Sequence, residues 1–326
     1  STAFRATFLR SPMVTGHHHG NAVGIGSATA MLCFVAVPLG GFMLQRHWRH
    51  LEQEDIQKLC QRYQGHQKAE PVSTDGARCE TPELMQRLTV LCGALDMIVH
   101  DGTRSRFITP KLQRLGYWEI QHPQDIADAI GTTLPRDGVF LDLGANIGWY
   151  SLLFAMIGYQ VIAVEPLPLN RRALEASLCL RPDLRERVTI VPAALGSPDD
   201  AKQRCVVRKE ALQCAAPPAL VAACDPASDP WCSDEVEVRT LDDILAELAP
   251  PSVDIVKMDI EGSECSAFRG GQTLFQRYRP QLLQVETWPP TSPSTACVQR
   301  EAERHGYRTE HLPWTFDTVM YRGDAG

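Results

Sequence analysis

The sequence lacks the spaced cysteine pairs and the basic surplus that mark two large classes of protein. None of its 11 cysteines forms a Cys-x-x-Cys pair, which argues against a zinc ribbon or a thioredoxin-like redox site. The formal net charge is −7 over 326 residues, and an acidic body repels phosphodiester backbones, so we expect no nucleic-acid partner. Internal repeats are absent as well. With 44% hydrophobic residues, the chain can nevertheless bury a substantial core.

Acidic residues are missing from residues 1–51, which carry four arginines and a charge of +4, so that the remainder carries −11. Within this stretch, residues 22–44 are 23 consecutive uncharged residues. At about 1.5 Å per residue, a helix of that length spans a hydrocarbon layer of about 30 Å. Arg46, Trp48 and Arg49 follow at once, as an interfacial stop would. We predict a single-pass membrane anchor; a cleaved or organellar targeting segment and a core helix are the alternatives.

The side of the membrane on which the body lies stays open. More basic residues follow the span than precede it, which by the positive-inside rule places the body in the cytosol. Against this, ten cysteines lie outside the span, and a cluster of four in one loop is typical of disulfides in an oxidising lumen. The four are Cys205, Cys214, Cys224 and Cys232.

Residues 51–137 are predicted to be a helical connector or cap that packs on a main domain at 138–322. Apolar residues recur at helical spacing over 54–64 and 82–95, which predicts a helix in each range. Residues 96–99 and 106–108 are expected to form a short β pair. The connector carries no motif that points to chemistry.

The chemistry begins at residue 139. An apolar strand at 139–143 ends at Gly144, a turn leads through Gly148 into an apolar helix, and a second strand ends at Glu165. This pattern is the signature of nucleotide binding on a doubly wound α/β sheet, in which the acid accepts hydrogen bonds from ribose hydroxyls.

Asp142 indicates which nucleotide is bound. A pyrophosphate prefers a helix N-terminus without a carboxylate beside it, and the glycine spacing here is Gly-x-x-x-Gly instead of Gly-x-Gly-x-x-Gly. S-adenosylmethionine carries a ribose and an ammonium but no phosphate, so we predict it as the cofactor. In the purely structural alternative, Gly144 and Gly148 serve the tight turn and Asp142 caps the following helix.

Five segments resemble, in order and spacing, the motifs of FkbM-type methyltransferases, and they read VFLDLGANIGWYS, VIAVEPLPLN, VPAALGS, VRTLDDIL and DIVKMDIEGSE. These are class I S-adenosylmethionine-dependent enzymes that mostly methylate hydroxyl groups, and the likeness covers roughly residues 117–290. It implies a Rossmann-like seven-stranded sheet with a reversed last strand. The cofactor-binding residues would be Asp142, Gly144, Asn146, Gly148, Glu165 and Asn170. The resemblance places the first three at the methionine end, Glu165 at the ribose and Asn170 on the adenine side.

The same likeness has one further match and two departures. Tyr117-Trp118-Glu119 falls where the family often has an aromatic–Glu pair ahead of the first strand. Ser263 stands where many relatives have a histidine that could act as a general base. Residues 200–236 are longer and richer in Cys and Pro than a typical connection; a disulfide-pinned loop, a substrate lid and a neutral insertion are the possibilities.

Three carboxylates are the candidate catalytic groups. Asp259 and Glu261 follow a predicted strand at 253–258, and Glu286 ends the next strand, so all three reach the sheet edge where α/β proteins bind ligands. Methyl transfer depends mainly on orientation, and a hydroxyl nucleophile also needs a group that accepts its proton. Alternatively, Asp259 contacts the cofactor and Glu261 caps the next helix. No metal is expected.

The sequence therefore predicts an S-adenosylmethionine-dependent O-methyltransferase that acts on a hydroxyl of a sugar, glycan or small metabolite. Two other functions are open. One is a catalytically silent, membrane-tethered binding protein with the same fold. The other is a nicotinamide-dependent oxidoreductase, which Asp142 and the glycine spacing disfavour.

Overall fold

The computed structural model describes residues 56–63, 79–102, 105, 107–208, 211–215, 235–287, 293–312 and 315–323. Residues 22–44, for which a membrane helix is predicted, lie outside these ranges. Within them, no helix combines the length and the apolar character needed to cross a membrane.

The described strands and helices alternate along most of the chain. The strands are β1 (Met85–Val90), β2 (Leu95–His100), β3 (Val139–Leu143), β4 (Gln160–Val164), β5 (Val188–Val191), β6 (Ala194–Leu195), β7 (Arg204–Arg208), β8 (Ala211–Ala215), β9 (Val238–Arg239), β10 (Ile255–Met258), β11 (Leu282–Glu286), β12 (Arg308–His311) and β13 (Asp317–Tyr321). The α-helices are α1 (56–62), α2 (Ile108–Leu115), α3 (Gln124–Ala129), α4 (Trp149–Met156), α5 (Pro168–Leu180), α6 (Pro182–Arg185), α7 (Leu241–Leu248), α8 (Glu264–Arg269) and α9 (Pro293–His305).

Seven of these strands form the main sheet, in the order β12-β13-β11-β10-β3-β4-β5. The strand β3 is central and pairs in parallel with β10 on one side and β4 on the other. The last strand, β13, runs antiparallel to both of its neighbours. The predicted doubly wound sheet, its reversed last strand and the adjacency of the strands at 139–143 and 253–258 are confirmed.

Apolar side chains cover both faces of the sheet, which explains why β3 is hydrophobic at every position except Asp142. Successive side chains of a strand point to opposite faces. Phe140 packs in one core cluster with Phe154 and Leu174, and Leu141 packs in the other with Phe268. Helices on each face supply these partners, so the central strands are shielded from solvent on both sides.

The helix predicted at 82–95 is wrong, because β1 and β2 form an antiparallel hairpin there. The spacing of its leucines satisfies a helical period, but the chain turns at Leu91 and Cys92, where φ is 51° and 52°, and a right-handed helix cannot continue through that conformation. The predicted pairing with residues 106–108 is wrong as well, since Ile108 begins α2.

One disulfide links this N-terminal part to the main domain, and another links two elements within it. Cys79 is bonded to Cys179 at the end of α5, 100 residues away in sequence, and Cys60 on α1 is bonded to Cys92 in the hairpin turn. The buried residues of α1 and of the hairpin belong to the same core cluster as Phe140. These residues therefore pack against the central sheet.

The Cys- and Pro-rich segment contains a second hairpin, formed by β7 and β8. Cys205 on β7 is buried and disulfide-bonded, which agrees with a pinned loop. The side chains of Cys214, Cys224 and Cys232 lie outside the described part, so their predicted role stays a prediction. Elsewhere, Cys265 on α8 lies against Cys297 on α9.

Candidate functional site

One cavity of about 300 Å³ opens at the carboxyl ends of the central strands. Its cofactor side is lined by residues that follow β3 and β4, namely Asp142, Gly144, Asn146, Glu165 and Asn170. Its acceptor side is lined by Trp118, Glu119, Lys257, Asp259, Glu261 and Glu286. Because β3 and β10 separate β4 from β11 in the sheet, Glu165 and Glu286 lie on opposite sides of the cavity. Every predicted site residue except Gly148 lines it.

The glycine turn places the backbone of β3 against that of β10. Gly144 has a φ of +88°, and a Cβ atom there would lie 1.9 Å from the carbonyl oxygen of Asp259. Asn146 is also left-handed, with a φ of 51°. Glycine at 144 therefore permits both the left-handed turn and the close approach of the two backbones.

Gly148 serves packing instead of lining the cavity. Its φ is +87°, and a Cβ there would come within 2.3 Å of Leu174 Cδ1 on α5. Glycine at this position lets α4 begin close against α5, as in the structural alternative, and the assignment of Gly148 to cofactor contact stays a prediction.

Asp142 is buried at the base of the cofactor side. The hydroxyl of Ser151 donates to its Oδ2 atom over 2.6 Å. Burial raises the pKa of Asp142 to about 6, and the bond from Ser151 opposes that rise. A buried carboxylate that has only one neutral side-chain donor can gain much from a cation placed in the cavity.

Glu165 is likewise buried, and three groups donate to it. The amides of Asn146 and Leu167 approach within 2.8 Å, and Asn170 Nδ2 within 3.3 Å. Burial raises the pKa of Glu165 to about 7 against the effect of these bonds. The arrangement fixes the orientation of the carboxylate at the end of β4, where a ribose is expected.

Lys257 is the buried cation around which the carboxylates of the acceptor side are arranged. It lies in β10 beside Asp142 of β3 and Gln284 of β11, with its side chain only 3% exposed. Its Nζ atom is 3.1 Å from Asp317 Oδ2 and 3.3 Å from Asp259 Oδ2. Burial alone would lower the pKa of Lys257, but Asp317, Asp259 and Glu119 outweigh burial and hold it above its usual range.

Tyr150 links Lys257 to the loop before α3. Lys257 Nζ lies 5.5 Å from the centre of the Tyr150 ring. The Tyr150 hydroxyl donates to Glu119 Oε2 over 2.9 Å and accepts from Gln284 Nε2 over 3.0 Å. The acceptor side is thus one hydrogen-bonded network that draws on five separate parts of the chain.

The three predicted catalytic carboxylates meet at the mouth of this network. Oxygen atoms of Asp259, Glu261 and Glu286 all lie within 4.8 Å of one another. Burial, together with the charges of Asp259 and Glu261, raises the pKa of Glu286 to about 9. At neutral pH Glu286 is therefore protonated, while Asp259 is paired with Lys257. Hard divalent cations also favour oxygen ligands at such spacing, so an activity assay should be run with and without a chelator.

Glu264, and not Glu261, holds the loop after β10. Its Oε1 accepts from the amide of Gly262 over 3.0 Å, and its Oε2 accepts from the hydroxyl of Ser294. The N-cap position of α8 is Ser263, and a capping role for Glu261 stays an alternative. Ser263 also lines the cavity.

Several residues of the site were not identified from the sequence. Phe107 and Ile108 line the cavity, and Tyr150, Lys257 and Asp317 build the network. The one signal visible in the sequence was Lys257, a lysine inside the otherwise apolar strand segment VKM. Because a lysine is almost never fully buried unless it is paired, its position in a buried strand indicates an acidic partner. Asp317 lies 60 residues further along the chain and carries no local pattern that marks it.

Part of the chain matches a known protein family. The family described as the methyltransferase FkbM domain matches residues 142–309, just over half of the 326 residues. Among curated proteins, the AMB antimetabolite synthetase AmbE of Pseudomonas aeruginosa is 52% identical over 50 residues. That stretch covers 15% of this chain and 2% of the synthetase.

The solved structures to which this chain is similar include three methyltransferases of low identity. A precorrin-6y C5,15-methyltransferase from Geobacter metallireducens is 14% identical, with 58% of this chain and 82% of that chain covered at a TM-score of 0.34. The N-terminal domain of human METTL16 is 13% identical, with 61% and 66% covered at 0.36. A TehB-like methyltransferase from Corynebacterium glutamicum is 12% identical, with 64% and 88% covered at 0.33.

Proposed function

The chain belongs to the FkbM methyltransferase family, and from this premise we propose that it transfers a methyl group to a hydroxyl of a sugar or another small metabolite. Its cofactor is S-adenosylmethionine, so the nicotinamide alternative is wrong. The observation that carries the proposal is a cavity that has the cofactor motifs on one side and a charged network of carboxylates on the other.

The cofactor side suits S-adenosylmethionine. Asp142 offers a buried carboxylate for the ammonium, and Glu165 offers oriented oxygens for the ribose hydroxyls. Because the cavity presents carboxylates instead of a ring of cations, it fits a cofactor without phosphate. When bound, the cofactor supplies an electrophilic methyl group on a sulfonium.

The acceptor side suits a hydroxyl nucleophile. As the new O–C bond forms and the S–C bond breaks, the hydroxyl proton must leave, and Asp259 is the carboxylate that we assign to accept it. Glu286 holds its own proton at neutral pH because of its raised pKa, so it can donate a hydrogen bond but cannot accept this proton. Lys257 holds Asp259 in place through the 3.3 Å ion pair.

Two disulfides support a further part of the proposal, which concerns the compartment. Cys60–Cys92 and Cys79–Cys179 join parts of the chain that are far apart in sequence, and such bonds persist in oxidising compartments. We place the domain on the lumenal side of a membrane, with residues 22–44 as the anchor. Carbonate extraction of the full chain should leave it in the pellet; recovery in the supernatant would contradict the anchor.

Incubation with labelled S-adenosylmethionine and a cell extract tests the proposed reaction. We expect a labelled small molecule or glycan whose methyl group is attached through oxygen. Asp259→Asn should abolish the labelling, whereas Asp199→Asn, which alters an exposed carboxylate outside the cavity, should not. A product labelled on nitrogen or carbon would contradict O-methylation. Cofactor binding without any labelled product would favour the silent binding protein.

A further inference from the structure

We propose that His100, at the end of the N-terminal hairpin, positions the cofactor by holding Asn170 against Glu165. This inference rests on the proposed assignment of Glu165 to the ribose. It gives the hairpin, which has no motif of its own, a role in binding.

The three side chains form a continuous buried chain. His100 Nε2 lies 2.8 Å from Asn170 Oδ1, and Asn170 Nδ2 donates to Glu165 Oε1 over 3.3 Å. The exposed fractions are 6% for His100, 8% for Asn170 and 4% for Glu165. Asn170 and Glu165 line the cavity, whereas His100 lies behind them.

The charge on Glu165 determines how the two partners must be arranged. A carboxylate accepts only, so Asn170 must present its NH₂ group to Glu165 and its carbonyl oxygen to His100. His100 must then donate from Nε2. Without that donor, the amide of Asn170 could rotate and place its oxygen against the carboxylate, which would disturb the side of the cavity where the ribose is expected.

The hairpin is fastened so that His100 stays in place. The hydroxyl of Thr109 donates to the carbonyl oxygen of His100 over 2.9 Å, and the amide of Ile98 donates to Ser177 Oγ on α5 over 2.8 Å. The disulfide Cys79–Cys179 ties the approach to β1 to the other end of α5. Strand β2 and helix α5 therefore behave as one support for Asn170.

Binding of S-adenosylhomocysteine to the full chain, measured by calorimetry, tests the inference. His100→Leu removes the donor at similar volume and should raise the Kd by about two- to tenfold, the range that one neutral hydrogen bond contributes. His100→Gln retains an amide donor and should bind within about twofold of the parent. Thr89→Ala is the matched control, because it removes a side-chain hydrogen bond to Asp96 on the exposed face of the same hairpin without touching the contact to α5 or Asn170, and it should leave the Kd unchanged.

A double-mutant cycle separates positioning from general loosening of the fold. If His100 acts through Asn170, His100→Leu should add nothing to the loss caused by Asn170→Ala. Additive losses, or an equal loss in Thr89→Ala, would overturn the inference. Glu165→Gln is measured in parallel: if it weakens binding while His100→Leu does not, only this inference fails. If Glu165→Gln itself has no effect, the ribose assignment in the proposed function fails first.

Discussion

The two sides of the cavity are built in different ways. The cofactor side comes from one short stretch, residues 142–170, whose backbone turn and strand end place Asp142 and Glu165. The acceptor side is assembled from side chains of the loop before α3, α4, β10, β11 and β13, which meet around Lys257. A local motif can therefore specify the cofactor, while the acceptor depends on long-range packing.

The largest effect is expected on kcat, when the proposed proton acceptor on the acceptor side is replaced. Asp259→Asn removes the proposed proton acceptor and should lower kcat by about 10²- to 10⁴-fold, the usual contribution of a general base. Binding of S-adenosylhomocysteine should persist, because Lys257 keeps its partner Asp317. An equal loss of cofactor affinity would show instead that Asp259 contacts the cofactor. Glu261→Gln, at an exposed position, is the control and should lose less activity.

The second expectation concerns stability on the same side. Lys257→Met leaves Asp317 buried without its cation and should lower the free energy of unfolding by about 3–5 kcal/mol. Lys257→Met combined with Asp317→Asn removes both charges and should recover part of that loss. Urea denaturation of the single and double variants measures this coupling. If the single and the double variant had the same free energy of unfolding, the charges of Lys257 and Asp317 would not be coupled.

The third expectation concerns the pH dependence of the cofactor side without ligand. Burial raises the pKa of Glu165 from 4.5 to about 7. A raised carboxyl pKa contributes stability below pH 4.5 that is lost as the pH rises through about 7, a loss of about 3 kcal/mol at 1.36 kcal/mol per unit. Glu165→Gln should remove this part of the pH dependence and leave the part that comes from the raised pKa values of Asp142 and Glu286. Glu175→Gln, on the exposed face of α5, should leave the profile unchanged.

The contrast between a local motif and long-range packing also explains which features could be predicted from the sequence. The central strands, helix α4 and the cofactor carboxylates follow from local patterns, since a buried parallel strand is continuously apolar and its end is marked by glycine or acid. The hairpin at 85–100 was missed because the leucine spacing fits two periods and only the backbone at Leu91 decides between them. The pairing of Cys79 with Cys179 could not be read from spacing, since ten cysteines allow many connectivities. Asp317 was missed because its partner Lys257 lies on another strand.

The smallest expected effect distinguishes the two carboxylates of the cofactor side from each other. Asp142→Asn removes a charge that should face the ammonium, so the Kd for S-adenosylhomocysteine should rise roughly ten- to a hundredfold, as expected for a charged hydrogen bond of about 1.5–3 kcal/mol. Methylthioadenosine lacks the amino-acid part, so its Kd should not change in this variant. Glu165→Gln should weaken both ligands, because both carry the ribose. If Asp142→Asn weakens the two ligands equally, Asp142 acts through Ser151 and the glycine turn, and the cofactor side too would depend on packing more than on its local motif.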